Sequence, residues 1–230
     1  MNDLVSYNGK HNDENGEGNR DGTDSNWSYN HGFEGMTRNP VIERTRNKKI
    51  KNFILTLLLS QGTPMLLGGD EFRRHQQGNN NAYCQDNELS WFDWTLREKN
   101  ASLVEFTKKA IKIRREHGVF RRESFFKGDR AGKTPDIQWF NIDASNPDWN
   151  KLSRFLAFRL CGSYTIDEKG CPDNDFYIAA NADRQDVMIK IPTLSDGRRW
   201  YRLADTSIED DTDLLTVETA ENLLNQERYV

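Results

Sequence analysis

The chain has 230 residues, enough to bury a core in one large domain or two modest ones. Its 32 basic and 36 acidic residues leave a formal charge of -4, which creates no broad positive field for a phosphate backbone and argues against nucleic acid as a partner. Mean hydropathy is low at -0.88, yet six Trp, seven Tyr and twelve Phe exclude the aromatic-poor signature of a disordered chain.

The first stretch, Met1 to about Arg46, has no sustained helical or strand period. It is dense in Asn, Asp and Gly, as in Asn12-Asp13-Glu14-Asn15-Gly16-Glu17-Gly18-Asn19-Arg20-Asp21-Gly22, and reads as loop. So long an irregular segment is uncommon in a folded protein unless it lines a functional site or is disordered. The aromatics Trp27, Tyr29 and Phe33 favour an anchored loop, because each needs a surface to pack on.

From Lys48 the pattern turns helical: Ile50, Phe53, Ile54, Leu57 and Leu58 fall on one stripe, broadened by Leu55 and Leu59. The helix should stop at Gln61-Gly62-Thr63-Pro64, since Gly suits the position after the last turn and Pro cannot continue it. The short apolar run Pro64 to Leu67, ended by Gly68-Gly69-Asp70-Glu71, predicts a buried strand. A polar loop, Arg73 to Asn87, then leads to Trp91 and Trp94. A second helix is expected from near Asn100, with Ser102 and Glu105 spaced as a capping box and Leu103, Phe106, Ala110 and Ile113 as its apolar stripe, closed by Gly118.

Beyond Val119 the period alternates. Strands are expected at Ile137 to Phe140, Arg154 to Leu160, Phe176 to Ala180, Val187 to Ile191 and Arg199 to Ala204. The pattern predicts an α/β part followed by a small antiparallel β domain, divided as 1-118 and 119-230.

No apolar run approaches the roughly 18 to 20 residues that span a bilayer, and Met1 to Asn12 has no leader pattern, which points away from a membrane and to the cytosol by default. Cys84, Cys161 and Cys171 are an odd set without Cys-x-x-Cys spacing, read as reduced thiols. The histidines His11, His31, His75 and His117 show no metal-ligand spacing, and His117 suits a helix C-terminus. No metal site and no cofactor are expected. The basic clusters Arg44-Thr45-Arg46-Asn47-Lys48-Lys49 and Arg114-Arg115 read as solvated helix faces.

The segments Asp3-Leu4-Val5-Ser6-Tyr7-Asn8, Asn15-Gly16-Glu17-Gly18-Asn19-Arg20-Asp21-Gly22, Leu59-Ser60-Gln61-Gly62-Thr63-Pro64-Met65, Gly69-Asp70-Glu71 and Gly78-Asn79-Asn80-Asn81-Ala82-Tyr83-Cys84-Gln85-Asp86 occur in an order that closely resembles isoamylases and bacterial glycogen debranching enzymes of the α-amylase superfamily. Arg154-Phe155-Leu156-Ala157-Phe158 and Trp200-Tyr201-Arg202-Leu203-Ala204-Asp205-Thr206 extend the resemblance into the β region. It implies the end of a (β/α)8 barrel, with the seventh helix, eighth strand and eighth helix, followed by an antiparallel β-sandwich that lacks its last strand. The implied activity is hydrolysis of α-1,6 branch linkages in glycogen or starch with retention, which needs a carboxylate nucleophile and a carboxylic acid about 5 Å apart.

In the family those two groups lie on the fourth and fifth barrel strands, and a third aspartate lies just ahead of the Asp-Leu-Val-Ser-Tyr-Asn motif. No residue of this chain matches them. The chain alone is therefore expected to be catalytically inert. The resemblance implies substrate contact by Asp21, Trp27, Asn79, Asn80, Asn81, Tyr83, Gln85 and Asp86, with Asp70 and Glu71 supporting the barrel top. Implied partners are a branched α-glucan and the upstream half of the barrel, with self-association where barrel neighbours are lacking. The implied setting is cytoplasmic, or a plastid for a plant or alga. The alternative reading is a non-catalytic glucan-binding or interaction module.

Overall fold

The computed structural model describes residues 1-129, 133-195 and 197-230. They form two compact units: Met1–Ile111 with Asp205–Leu214, and Lys112–Ala204 with Leu215–Val230.

The first unit opens with the expected loop, relieved by one-turn 3-10 helices at Asp3–Val5 and Asp13–Asn15. Helix α1 covers Pro40–Leu59, starting ahead of the apolar stripe. Its start is set by capping: the Asn39 side-chain oxygen accepts the N–H groups of Val41 (3.0 Å) and Ile42 (3.5 Å), and Pro40 takes the first helical position, where no N–H is needed. Ile50, Ile54 and Leu58 are buried, while Phe53 is partly exposed.

Arg46 departs from its reading as part of a solvated face. Its side chain is 0% exposed and donates to the carbonyls of Gly35 (2.7 Å), Asn30 (2.8 Å) and Phe33 (2.5 Å), with Glu43 at 3.3 Å. A charge at this depth persists because both terminal guanidinium nitrogens are satisfied, with Nε left without a partner, and three loop carbonyls are thereby tied to α1. Arg44, two residues earlier, does face solvent. Lys51 is also buried and is ion-paired with Asp213, which binds the returning segment 205-214 to α1.

The expected strand Pro64 to Leu67 is absent. The segment is irregular, with Met65 86% exposed and no ladder partner among the described residues. A strand exists through hydrogen bonds to a neighbour, and the described residues offer none there. Helices α2 (Thr95–Lys99) and α3 (Ala101–Glu116) follow. Helix α3 buries the stripe Leu103, Phe106, Ala110 and Ile113, as the pattern predicts. The capping box does not form: Ser102 is already inside the helix, Glu105 pairs with Lys108 at 2.6 Å, and the Asn100 carbonyl takes the first amides.

The second unit is antiparallel. Strands β1 (Ile137–Phe140), β2 (Phe155–Leu160) and β3 (Phe176–Asn181) form one sheet in that order, with Phe140 opposite Ala157 and Ala157 opposite Ala179. Phe140 and Ala157 are buried, and Tyr177 links Phe140 (5.9 Å between ring centres) to Trp200 (6.1 Å). Strand β4 (Ile189–Lys190) pairs with β7 (Arg228–Tyr229), and β5 (Tyr201–Arg202) with β6 (Glu221–Asn222). Each expected strand position is occupied, though the fourth and fifth are only two residues long. His117 owes its place to more than a helix end: its Nδ1 lies 2.6 Å from the Asp173 carboxylate, which also accepts the Val119 N–H at 3.0 Å, all buried. The three cysteines are free, Cys161 buried and the others exposed.

Arg46→Met should lower the unfolding free energy by about 3 kcal/mol, because it strands loop carbonyls without a donor. Arg44→Met should change it by less than about 0.5 kcal/mol. Urea denaturation of both variants decides the matter, and equal effects would remove Arg46 from its organising role.

Candidate functional site

The resembling loops, residues 8-24 and 76-87, are far apart in sequence and interlocked in the first unit. Asn12 is 0% exposed and forms a reciprocal amide pair with Asn80: the Asn80 N–H donates to Asn12 Oδ1 (3.0 Å) and Asn12 Nδ2 donates to Asn80 Oδ1 (2.9 Å). Asn12 Nδ2 also reaches the Asp21 carbonyl at 3.0 Å, and Asn80 Nδ2 the Thr23 carbonyl at 3.0 Å.

A second set of bonds centres on Asn15. Its Oδ1 accepts from Asn79 Nδ2 (2.8 Å) and Gln85 Nε2 (2.8 Å), and its Nδ2 donates to the Asp21 carboxylate (2.7 Å) and the Asn81 carbonyl (3.0 Å). Asn81 Nδ2 donates to the same Asp21 oxygen at 3.0 Å. The Asn15 bond holds the Asp21 carboxyl below its ordinary range against some desolvation, with Asn81 adding to it. Gly22 (φ +70°) and Gly78 (φ +80°) let the two backbones approach. A Cβ on Gly22 would lie 2.2 Å from Asn80 Oδ1, and one on Gly78 2.7 Å from the Tyr7 ring.

The residues singled out in the sequence thus fall into two groups. Asn79, Asn80, Asn81, Gln85 and Asp21 are gathered in one place, but their side chains are largely engaged with each other. Tyr83 and Trp27 present open rings, 72% and 91% exposed, and Tyr83 is steered by a bond from its hydroxyl to Glu17 (2.8 Å). Asp86 is exposed and accepts from the Trp91 indole at 3.0 Å. Trp27 lies apart, beside a shallow depression lined by Leu4, Tyr29, His31 and Phe53.

Asp70 is buried, its carboxylate 2.5 Å from the Met1 ammonium, and Glu71 accepts the Gly69 N–H at 2.9 Å. Trp94 packs with Phe72 and stacks on Phe92, at 5.7 and 5.6 Å. Among the described residues no cluster of three or more His, Cys, Asp or Glu suits a metal ion.

Residues 138-229 match the family model described as Isoamylase 1-3, C-terminal. A glycogen operon protein GlgX homolog of Mycobacterium bovis is 44% identical over 218 residues, covering 90% of this chain and 30% of that protein. The chain belongs to the isoamylase-type debranching enzyme family. It corresponds to the C-terminal portion of such an enzyme. The glycogen debranching enzyme of Pectobacterium atrosepticum is 46% identical over 170 residues, with 72% of this chain and 25% of that protein covered. The chloroplastic isoamylase SU1 of Zea mays is 36% identical over 215 residues, with 93% and 25% covered. The chain therefore spans about 30% or less of the length of these relatives. Pullulanase from Bacillus acidopullulyticus superposes with a TM-score of 0.58 at 16% identity, over 81% of this chain and 19% of that one, a likeness of fold.

Sequence reasoning missed Arg46, Asn12, Asn15 and Glu34 as organisers of the loops in this unit. The Asp21-Gly22 and Asn15-Gly16 steps were the available signal, since each marks a turn. Glu34 accepts from the Asn8 N–H (2.9 Å), Asn30 Nδ2 (2.8 Å) and the His11 ring (2.9 Å).

Desolvation alone would raise the Glu34 carboxyl, but the bonds from His11, Asn30, Asn8 and Gly9 prevail and bring it from 4.5 down to about 2. A carboxyl depressed on folding contributes stability above its unfolded value that is lost as pH falls through its folded value. Hydrogen-exchange protection of the Asn8 and Gly9 amides should therefore hold above pH 4.5 and decay toward about 2. In Glu34→Gln that slope should largely vanish. An unchanged slope would assign the transition to another group.

Proposed function

We propose that this chain serves a glycosidase that hydrolyses α-1,6 branch linkages in glycogen or starch, and that it supplies part of the substrate rim and the C-terminal β-sandwich. The observation that carries this reading is the joining of the two resembling loops into one surface with Tyr83 exposed upon it. On this reading residues 1-118 end a (β/α)8 barrel, with α1 as its seventh helix, residues 64-67 as the eighth strand once neighbours are supplied, and α3 as its eighth helix. Residues 119-230 form the sandwich. Active sites of such barrels open at the C-terminal ends of the strands, where the loops 8-24 and 69-87 would then lie.

The chemistry itself falls to other residues. Retaining hydrolysis needs two carboxyl groups about 5 Å apart across the scissile bond. Asp70 and Glu71 do not meet that need: one is buried, and the other closes the turn at Gly69. We infer that the chain alone is catalytically inert and requires the upstream half of the barrel. Its ligand is an α-glucan, in keeping with relatives named as debranching enzymes and with a Bacillus subtilis pullulanase of similar fold (TM-score 0.56, 20% identity) whose structure is a maltose complex. No helix among the described residues is long and apolar enough to cross a membrane. The setting proposed is the cytoplasm, or a plastid for a plant or algal source.

The purified chain should release no reducing ends from pullulan or amylopectin. Release that survives removal of contaminating amylase would sink the inert reading. Met65 and Leu67 expose apolar surface, so the chain should self-associate, and light scattering should report a mass above 26.8 kDa. A clean monomer with cooperative unfolding would refute the self-association.

A further inference from the structure

The rim amides named from the sequence are engaged with one another, which leaves the question of what the lock accomplishes. We propose that Asn12 and Gly22 are positioning residues for α-glucan contact, acting through Tyr83 without touching sugar themselves. This inference rests on the glucan-binding reading above.

Asn12 is fully buried, and both polar groups of its side chain reach across to the other loop at Asn80, with Nδ2 also holding the Asp21 carbonyl of its own loop. Asn80 answers it with main chain and side chain alike, at a separation of 68 residues. Gly22 completes the arrangement from the other side: its positive φ and the 2.2 Å gap to Asn80 Oδ1 exclude any Cβ, so a methyl there must push Asn80 off its partner. Three residues on, Tyr83 is fixed at its hydroxyl by Glu17, which belongs to the first loop. Its ring is thus held at both ends, by the Asn80 pairing through the short intervening chain and by Glu17 at the tip.

A rigid aromatic held open to solvent is a surface for the apolar C–H face of a pyranose. Its affinity depends on not having to order the loop at the moment of binding. The Asn15 bonds to Asn79 and Gln85 brace the same loop on either flank of Tyr83. Loss of the Asn12 pair therefore loosens the presentation of the ring while leaving α1 and its Arg46 anchor intact.

The test is titration of the 230-residue chain with maltohexaose, comparing wild type with Asn12→Ala, Gly22→Ala, Tyr83→Ala and the Asn12→Ala/Tyr83→Ala double variant, each checked for folding by near-UV circular dichroism. Gly22→Ala removes no hydrogen-bonding group, so it probes geometry alone. Asn12→Ala and Gly22→Ala should each weaken binding about 10-fold. The double variant should bind no worse than Tyr83→Ala, since residues acting through one contact are not additive. Folded variants that bind within about twofold of wild type, or losses that multiply in the double variant, overturn the positioning role alone. A wild-type chain that shows no binding at millimolar maltohexaose overturns the glucan reading and the positioning role together, and hydrogen exchange at Asn80 and Asn81 then reports the lock independently.

Discussion

The reciprocal amide pair of Asn12 and Asn80 is the interaction on which the first unit's surface depends. Loops of this length carry many main-chain polar groups that no helix or ladder satisfies. Here each loop supplies the partners the other lacks: Asn12, Asn15 and Asp21 from one side meet Asn79, Asn80, Asn81 and Gln85 from the other. The density of Asn in both segments follows from this, because an amide side chain both donates and accepts and can replace a peptide group in a pairing.

The same accounting explains the buried charges. Arg46 satisfies loop carbonyls between Asn30 and Gly35. Lys51 meets Asp213 of the returning segment, and Lys109 donates to the carbonyl of Leu214 at 2.9 Å. In each case a long side chain from a helix reaches irregular backbone or its flank. Such pairs contribute little net stability compared with apolar packing, but removing one partner is costly. Their role in this unit is to select one arrangement of segments that have little regular structure.

Family membership and chemistry separate in this chain. The motifs of an isoamylase-type enzyme run through both units, and on the function proposed above the carboxylates that act on a glycosidic bond are supplied by other residues. What the interlocked loops present to solvent is the aromatic ring of Tyr83. Asp70 and Glu71, adjacent in sequence, point into structural tasks, as neighbours on a turn with different environments readily do.

Much was legible in the sequence. The stripe Ile50, Ile54, Leu58, the stripe of α3 and the strand positions around Trp139, Phe158 and Ile178 all follow from periodicity, which is a local property of the chain. Capping moved the start of α1 to Pro40, a signal also present in Asn39-Pro40 but outweighed by the polar first turns. The fate of residues 64-67 was not local, because four apolar residues become a strand only beside another strand. Nor was the fate of Arg46 or of the rim amides: composition determined that the loops could bind hydroxyl groups, and only the tertiary structure decided that most of those amides bind each other. The reason is that a hydrogen-bonding side chain does not encode its partner, which is set by what folding brings within about 3 Å of it.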